Sequence, residues 1–244
     1  MGSPQNYLLD LQIVLVETTL NSQFALLIHM NTDKTRGLLC IWTDIEPEHD
    51  LDFNRWYDRE HMQERVAIPG FQSARRFGAI SACPRPYLAL YYTDNLGVFK
   101  SAPYLNAFAN QTAWSRENFT RMRGTQRRVG RLSVEAGEGE GGALALFVVP
   151  EGKLAQPGIK AQLQQMLTAL TGQDHVIRTT LLETDAGLST PITADAVSAP
   201  SDALVMVEAT RANAAHHHAQ ALSESLGLPP GEVYSFQSLW RLAS

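Results

Sequence analysis

The feature that most constrains the fold is an order of segments that occurs twice along the 244 residues. A strand-like run is followed by a helix-like stretch, two strand-like runs, a second helix-like stretch and a last strand-like run. In the first half these segments are 37–45, 50–67, 71–77, 87–93, 103–122 and 125–135. In the second half they are 143–149, 159–170, 175–183, 204–209, 212–226 and 233–242. Two units of similar length and the same order indicate an internal structural repeat.

The order within each unit is that of the ferredoxin-like, or split βαβ, motif. The glycine-rich run 137–142 is typical of a flexible linker between two units. Strands such as 38–42 and 144–149 are apolar on both faces, which indicates burial on both sides. Helices can cover only one face of each sheet, so the other face must meet the second sheet. The sequence therefore predicts an α+β protein whose tandem ferredoxin-like halves, 35–136 and 143–244, pack face to face and form an α/β barrel within one chain.

Residues 1–34 are predicted to be a weakly ordered N-terminal extension, with the working domain beginning near Thr35. The stretch 7–30 is fairly apolar, but Asp10 and Glu17 interrupt it, whereas a transmembrane helix needs about 20 residues with almost no charge. It also lacks the basic start and small-residue cleavage site of a signal peptide. We therefore interpret it as neither a membrane span nor an export signal.

Charge and cysteine content narrow the classes of partner. A net charge of −5 argues against general nucleic-acid binding, which needs a basic surface. Cys40 and Cys83 show no metal-ligand spacing and are interpreted as free thiols in a reducing compartment. The sequence thus predicts a cytoplasmic monomer or homodimer that binds a small molecule, without nucleic-acid or membrane partners.

One helix-like stretch of the first half combines aromatic and ionisable side chains on a single face. At about 100° per residue, this face contains Phe53, Trp56, Tyr57, Glu60, His61 and Glu64. The aromatic members predict packing against the sheet. The ionisable members lie on the same stripe further along, where burial is costly unless they are paired or open onto a cavity. We therefore expect His61 to border a cavity, within hydrogen-bond reach of a carboxylate or a strand arginine.

This stripe supplies the candidate catalytic residues. His61 is the predicted general acid/base, because an unperturbed pKa of about 6.5 suits proton transfer at neutral pH. Glu60 or Glu64 would orient the imidazole. On the next strand Arg75 and Arg76 point to opposite faces, and one of them would stabilise a developing oxyanion. The apolar walls would come from Trp42, Trp56, Tyr57 and Tyr91.

A purely structural interpretation of the same residues remains open. Glu60 paired with an arginine would lock the helix to the strand, and His61 would then be a satisfied core histidine. Trp56 and Tyr57 are favoured as core residues over cofactor contacts. The second half lacks an equivalent pattern around 162–170, which indicates that it keeps the barrel without the site.

The runs 53–65, 68–71 and 74–77 resemble the EthD-like branch of the dimeric α/β-barrel superfamily. The resemblance rests on a Trp-Tyr pair, a Glu-His pair and a Pro-Gly-Phe turn, and it covers 37–93. That superfamily includes decarboxylases, isomerases, cofactor-free oxygenases, cyclases and haem proteins. The resemblance therefore implies a fold and does not identify a reaction.

Two hypotheses of function follow. The first is an enzyme that uses cofactor-free acid/base chemistry on an apolar or aromatic organic substrate. The alternative is a non-catalytic ligand-binding or structural barrel, with haem binding through a histidine as a variant. The chain shows neither a phosphate loop nor a dinucleotide fingerprint, and no cofactor is predicted.

Two further clusters favour solvated surfaces over ligand sites. Adjacent histidines 216–218 diverge on a helix, so no metal site is predicted there. An arginine cluster is interpreted as a salt-bridged surface, with anion binding as the less favoured alternative. It consists of Arg116, Arg121, Arg123, Arg127, Arg128 and Arg131.

Overall fold

A computed structural model describes residues 35–191, 201–229 and 231–244. The strands are β1 Gly37–Ile45, β2 Phe71–Ala79, β3 Tyr87–Thr93, β4 Met122–Gly137, β5 Ala143–Val149, β6 Val176–Thr184, β7 Ala203–Ala209 and β8 Tyr234–Ala243. Helix α1 has three consecutive pieces, Asp50–Trp56, Tyr57–His61 and Met62–Val66. The other helices are α2 Ala102–Ala109, α3 Ala113–Arg121, α4 Glu151–Leu154, α5 Ile159–Leu170 and α6 Ala212–Ser225.

The predicted order of elements is present in both halves, with local differences. The stretch predicted as one helix over 103–122 is two helices, α2 and α3, and Ser101 and Thr112 cap their first turns. No helix in the described residues is long and apolar enough to cross a membrane. The predicted N-terminal extension 1–34 lies outside the described residues.

The eight strands close into an antiparallel barrel in the order β1-β3-β2-β8-β5-β7-β6-β4. The same order, fourth-first-third-second, occurs in β4-β1-β3-β2 and in β8-β5-β7-β6. The mixed α/β barrel predicted from the sequence is confirmed. Its assembly differs from the prediction, because the two sheets also join edge to edge through the β2–β8 and β4–β6 ladders. Closure of this kind pairs strand edges that would otherwise be exposed.

Side-chain alternation along the strands explains why they are apolar on both faces. On β1, Leu38, Cys40 and Trp42 belong to the core inside the barrel. Leu39 and Ile41 belong to a second core, between the sheet and helices α1 to α3. A third core lies between the second half of the barrel and α5 and α6. The barrel wall is therefore buried on its inner and outer faces, as its composition predicts.

Two buried ion pairs cross the barrel interior and join the halves. Arg75 on β2 donates from Nη1 to Glu208 Oε2 at 2.7 Å. Arg128 on β4 donates from Nη2 to Asp202 Oδ2 at 2.8 Å. All four side chains are almost fully buried, so each charge depends on its partner in the opposite half.

Helix α1 is not a uniform α-helix. Its middle piece, Tyr57–His61, is a π-helical turn, in which the Met62 N–H donates to the carbonyl of Tyr57. Such a turn inserts one residue into the helix and rotates everything that follows. After the turn, the buried positions are His61, Met62 and Arg65, while Glu60 and Glu64 are only partly buried.

Candidate functional site

A small cavity lies between the first half of the barrel wall and helices α1 to α3. Its volume of about 30 Å³ holds about two water molecules. It is lined by Leu39, Ile41, Tyr57, His61, Arg65, Tyr91, Tyr104, Phe108, Gln111, Phe119, Met122 and Arg127. Apart from Gln111, these residues come from α1 to α3 and from β1, β3 and β4, so one half of the chain builds the whole lining.

His61 lines this cavity and is held by aromatic rings. The side chain is 6% exposed, and its ring centroid lies 4.2 Å from that of Trp56. Tyr57 and Phe119 contact the ring edge-on. Its Nδ1 atom has no hydrogen-bond partner within the described residues. The rings thus fix the position of the imidazole, while no polar group fixes its tautomer.

The electrostatic environment keeps His61 neutral. Burial, followed by the positive charges of Arg65 and Arg76, holds the pKa of this imidazole well below its ordinary value. His61 is the predicted acid/base because of its unperturbed pKa, and the direction of this shift favours the role of a base over that of an acid. A neutral imidazole can accept a proton from a ligand or share one with it in a hydrogen bond.

Neither predicted carboxylate orients His61. Glu60 accepts a hydrogen bond at 2.6 Å from the hydroxyl of Thr112, which ties α1 to the start of α3. Glu64 Oε2 lies 3.8 Å from Arg65 Nη2. The π-helical turn explains this correction, because it rotates both carboxylates away from the face that carries His61.

The two strand arginines point to opposite faces, as predicted, but neither lines the cavity. Arg75 lies inside the barrel with Glu208, on the far side of the sheet. Arg76 lies over the Tyr57 ring, 4.1 Å from its centroid, and pairs with Asp58 at 3.3 Å. The structure thus separates both arginines from His61 by a strand or by the Tyr57 ring.

Of the four aromatic residues predicted as apolar walls of the site, two line the cavity and two do not. Tyr57 and Tyr91 line the cavity. Trp56 lies behind His61, and its Nε1 donates to Ser115 Oγ at 3.1 Å. Trp42 lies inside the barrel and donates from Nε1 to the carbonyl of Arg85 at 2.7 Å. Trp42 is therefore a core residue remote from the cavity.

Two arginines that the sequence analysis did not place in the site line the cavity instead. Arg65 and Arg127 are each 6% exposed. Arg127 is held by Tyr104, whose hydroxyl accepts from Nη2 at 2.8 Å, and by the carbonyl of Leu188 at 2.6 Å from Nη1. Arg65 Nη2 lies 3.4 Å from Gln111 Oε1, and its Nε has no hydrogen-bond partner within the described residues.

The sequence contained a signal for each of these arginines. Arg65 follows His61 by four residues, and Arg127 has the same strand parity as Val129, which faces the helices. The rest of the arginine cluster forms separate contacts, most of them the ion pairs of the salt-bridge interpretation, but Arg128 is buried and does not lie on a solvated surface. Those contacts are Arg121–Asp52, Arg123–Glu46, Arg128–Asp202 and Arg131–Glu183, with Arg116 on the carbonyl of Gln111.

The phenol groups of the cavity are held in their protonated form. Burial raises the pKa of Tyr91 well above its usual range, with Tyr57 close by adding to the effect. Burial likewise raises the pKa of Tyr57. The hydroxyls of Tyr91 and Tyr57 lie close to each other. Both phenols keep their proton at neutral pH, so a hydroxyl of this pair can donate a hydrogen bond to a ligand oxygen.

Cofactor and metal sites fit the described residues poorly. Organic ligands and cofactors occupy cavities of roughly 300–1,000 Å³, so either haem or an organic substrate would have to enlarge the space of about 30 Å³ beside His61. His216 is bonded to Ser235 at 3.0 Å, away from its two neighbours. The one metal-like cluster within the described ranges, Glu46 with Glu48 and His49, is already paired with Arg123.

A larger space, about 600 Å³, is an open surface groove near the end of α1. Its lining includes Asp94, Gln63 and Gln72, without a histidine, an arginine or a tyrosine. The small cavity is therefore the better candidate site, because it brings together ionisable groups that have lost water.

Comparison with known proteins places the fold. No protein-family model and no curated protein sequence matches the chain. Among solved structures, an anthrone oxidase-like protein matches with a TM-score of 0.60 and 10% identity, over 86% of this chain and 94% of that one. A monooxygenase-family candidate from Lactobacillus acidophilus NCFM matches with a TM-score of 0.53 and 9% identity, over 86% and 96%.

A ferredoxin-fold protein from Listeria monocytogenes 4b F2365, related to antibiotic biosynthesis monooxygenases, matches with a TM-score of 0.43. It is 10% identical over 84% of this chain and 95% of that chain. Identities this low show likeness of fold and not of activity. The comparisons thus show that the chain shares its fold with the anthrone oxidase-like protein and the Lactobacillus acidophilus protein, and the EthD-like branch stays a prediction.

Proposed function

We propose that the chain is a small-molecule enzyme that uses acid/base chemistry, without a resident cofactor, on an apolar or aromatic organic substrate. We further propose that it is a tandem of two ferredoxin-like units and that the first unit carries the site. One observation carries the proposal. A neutral, desolvated histidine shares a small, largely aromatic cavity with two buried arginines, and the described lining contains no carboxylate.

In this proposal His61 accepts a proton from an acidic C–H or O–H bond of the substrate. From a C–H bond next to a carbonyl, the electron pair forms a C=C bond and the carbonyl π pair moves onto oxygen, which gives an enolate. From an O–H bond, the pair stays on oxygen as a phenolate or enolate. Before the reaction, Arg65 and Arg76 oppose a positive charge on His61. A negative oxygen beside Arg65 and Arg127 would offset that opposition, so charge formation and proton transfer support each other. The oxyanion role predicted for Arg75 or Arg76 thus passes to Arg65 and Arg127.

The size of the cavity requires that a substrate open it. Phe108 and Gln111 lie in the lining where α2 ends, and the Phe108 side chain is 37% exposed. Movement of α2 would enlarge the cavity without disturbing the barrel. Loop and helix movements of this kind commonly admit a substrate and then exclude water.

The second candidate is a non-catalytic binding or structural barrel. The small volume and the absence of a carboxylate on His61 Nδ1 favour it. In that case His61 is a core residue whose replacement changes stability alone. The quaternary state is open in both cases: we expect a monomer or homodimer, since the second half closes the barrel within one chain.

Proton exchange in deuterated water tests the proposal. Anthrone is the first probe, because a fold neighbour is named for it and its acidic C–H is adjacent to a ring system that carries a carbonyl. We expect the wild-type chain to accelerate exchange and His61→Ala to lower the rate by about 10²–10⁴-fold. His217→Ala, on the exposed face of α6, is the matched control. Exchange that persists in His61→Ala, together with a lower melting temperature, would assign His61 to the core and sink the enzyme proposal.

A further inference from the structure

Two buried polar atoms without a hydrogen-bond partner in the described residues belong to residues that line the same cavity. They are His61 Nδ1 and Arg65 Nε, and beside them the hydroxyl of Tyr91 has only that of Tyr57 close by. Leaving a buried polar group without a hydrogen bond is costly, and native proteins contain few such groups. Their concentration around one cavity indicates that a bound molecule completes their hydrogen bonds.

The charge of the lining defines that molecule further. Arg65 and Arg127 are both buried, and the described lining of the cavity contains no carboxylate. Arg65 has one long contact with a carboxylate outside the lining, at 3.8 Å from Nη2 to Glu64 Oε2. Arg127 donates to the Tyr104 hydroxyl and to two carbonyl oxygens, and within the described residues it has no ion pair, so it contributes positive charge to the cavity. Arg65 contributes positive charge and an unused N–H. Burial strengthens the attraction of such charges for an anion.

The remaining lining is largely apolar. Ile41, Phe119 and Met122 supply aliphatic and aromatic surface, and Tyr57 adds a ring. A fully hydrated inorganic anion would leave this surface without a contact. An organic anion with an aromatic or otherwise planar body would bury it.

We propose that the cavity binds a small organic anion, with its acidic oxygen on Arg65 and Tyr91 and its apolar body against Phe119 and Met122. The inference rests on the proposed function only in taking this cavity as the ligand site. It names the substrate class: an aromatic carboxylate, or a phenol or enol that binds in its ionised form. His61, neutral before binding, lies at the edge of the same anion.

Calorimetric titration of the full chain with matched pairs of probes tests the inference. The pairs are benzoate with benzamide, naphthoate with naphthamide, and nitrophenolate with nitroanisole. A charge-assisted hydrogen bond contributes enough for about a ten- to hundredfold preference for the anion over its neutral isostere. A preference in the first two pairs indicates a carboxylate ligand, and a preference in the third pair indicates a phenolate ligand.

Two variants locate the preference. Arg65→Met is expected to abolish it, whereas Arg131→Met, which removes an exposed arginine of β4 that pairs with Glu183, is expected to retain it. Equal affinity for both members of every pair, or no binding of any anion, overturns the inference, as does equal loss in both variants. The wild-type comparison decides even where Arg65→Met does not fold.

Anion binding and catalysis can fail separately. His61→Ala is expected to keep the preference for the anion while proton exchange is lost. Anion binding without exchange in the wild-type chain would retain this inference and reject the acid/base enzyme. Exchange without any preference for anions would do the reverse.

Discussion

Helices cover the outer wall of the barrel in both halves, but the two covered faces differ in chemistry. Under α5 and α6 the core is aliphatic, with Leu163, Leu167, Ala215 and Ala219 fully buried against small strand residues. Under α1 to α3 the core is aromatic and includes the buried side chains of His61, Arg65 and Arg127. One supersecondary unit can therefore give either a filled core or a polar cavity, and the helix sequence decides which.

The helices of the two halves also differ in their regularity. Both long helices of the second half are regular α-helices, whereas α1 contains a π-helical turn. Alanines on α6 let that helix approach the sheet closely, and aliphatic side chains fill the space between them. Large rings with polar edges cannot fill the space under α1 as completely, which leaves a cavity and unpartnered atoms.

Both halves of the chain face one barrel interior. The substitution with the largest expected effect on stability, Glu208→Ala, tests whether they share it. Glu208 accepts hydrogen bonds from Arg75 and from the backbone of Gly141. Glu208→Ala leaves the buried Arg75 with only the partly exposed Glu140, whose Oε2 lies 3.6 Å from Nε, so we expect the free energy of unfolding to fall by about 3 kcal/mol. Glu117→Ala, at an exposed ion pair, should cost about 0–1 kcal/mol. Urea unfolding measures both, and similar values for the two would contradict a shared interior.

A second prediction separates scaffold from site. Leu163→Ala opens a cavity in the aliphatic core and should lower the free energy of unfolding by about 2–5 kcal/mol. Affinity of the folded protein for an anionic probe should stay unchanged, because the residue belongs to the half without the proposed site. Denaturation and calorimetry on the same sample check this. A loss of affinity in the folded variant would show that the halves are coupled.

A third prediction uses the depressed pKa of His61. Positive groups around it are Arg65 and Arg76, with Arg127 across the cavity, while Tyr57 and Tyr91 are neutral. The unfolded chain binds the His61 proton more readily than the folded chain does. The contribution of neutral His61 to the free energy of unfolding should therefore be complete above about pH 6.5. It should decrease as the pH is lowered towards the pKa of His61 in the folded chain, by up to about 1.4 kcal/mol per pH unit.

The control for this pH dependence is a matched pair of substitutions. His61→Phe should remove that part of the slope between pH 4 and 7, and His217→Phe on the exposed face of α6 should leave it. Denaturant midpoints at several pH values supply the measurement. A slope that is the same in both variants would mean that His61 does not titrate differently on folding.

The smallest expected effect concerns entry to the cavity. Phe108 contacts Arg127, whose guanidinium carbon lies 5.6 Å from the ring centroid. Phe108→Ala should cost about 0.5–1 kcal/mol of stability and make ligand association several-fold faster, because it thins the cover of the cavity. Stopped-flow mixing with an anionic probe measures the rate, with Leu105→Ala on the exposed side of α2 as the control. An unchanged rate would place the entrance elsewhere.

The sequence predicts the fold better than the site, for a physical reason. Strand patterns and turn residues act over a few positions, so the order of the elements can be predicted along the chain from local patterns. The run from Leu38 to Trp42, for example, is enough to predict a strand that is buried on both faces. Partners such as Arg75 and Glu208 are brought together only by barrel closure. Their pairing depends on strand order and register across two halves, which a local pattern does not contain.

The candidate site shows the same limit on a smaller scale. Tyr57, His61 and Tyr91 line the cavity. Tyr57 begins the π-helical turn and Tyr91 lies on a strand, so the turn displaces neither, whereas His61 is the last residue of the turn. A constant period of about 3.6 residues does not hold across the π-helical turn, so this period predicts the wrong positions for Glu60 and Glu64 and does not identify Arg65. Arg127 lies two residues before Val129 on the same strand, and its position at the cavity follows only when the two residues are assigned to the same face.

The π-helical turn also bears on how relatives of this chain should be aligned. A regular α-helix with the same amino-acid sequence would turn Glu60 and Glu64 towards the cavity, whereas the helix with the π-helical turn places His61 and Arg65 there. A single insertion or deletion can thus invert the charge of a site while every surrounding amino acid stays the same. Two homologues aligned without a gap in this helix would then seem to share acidic residues that occupy opposite sides of their folds.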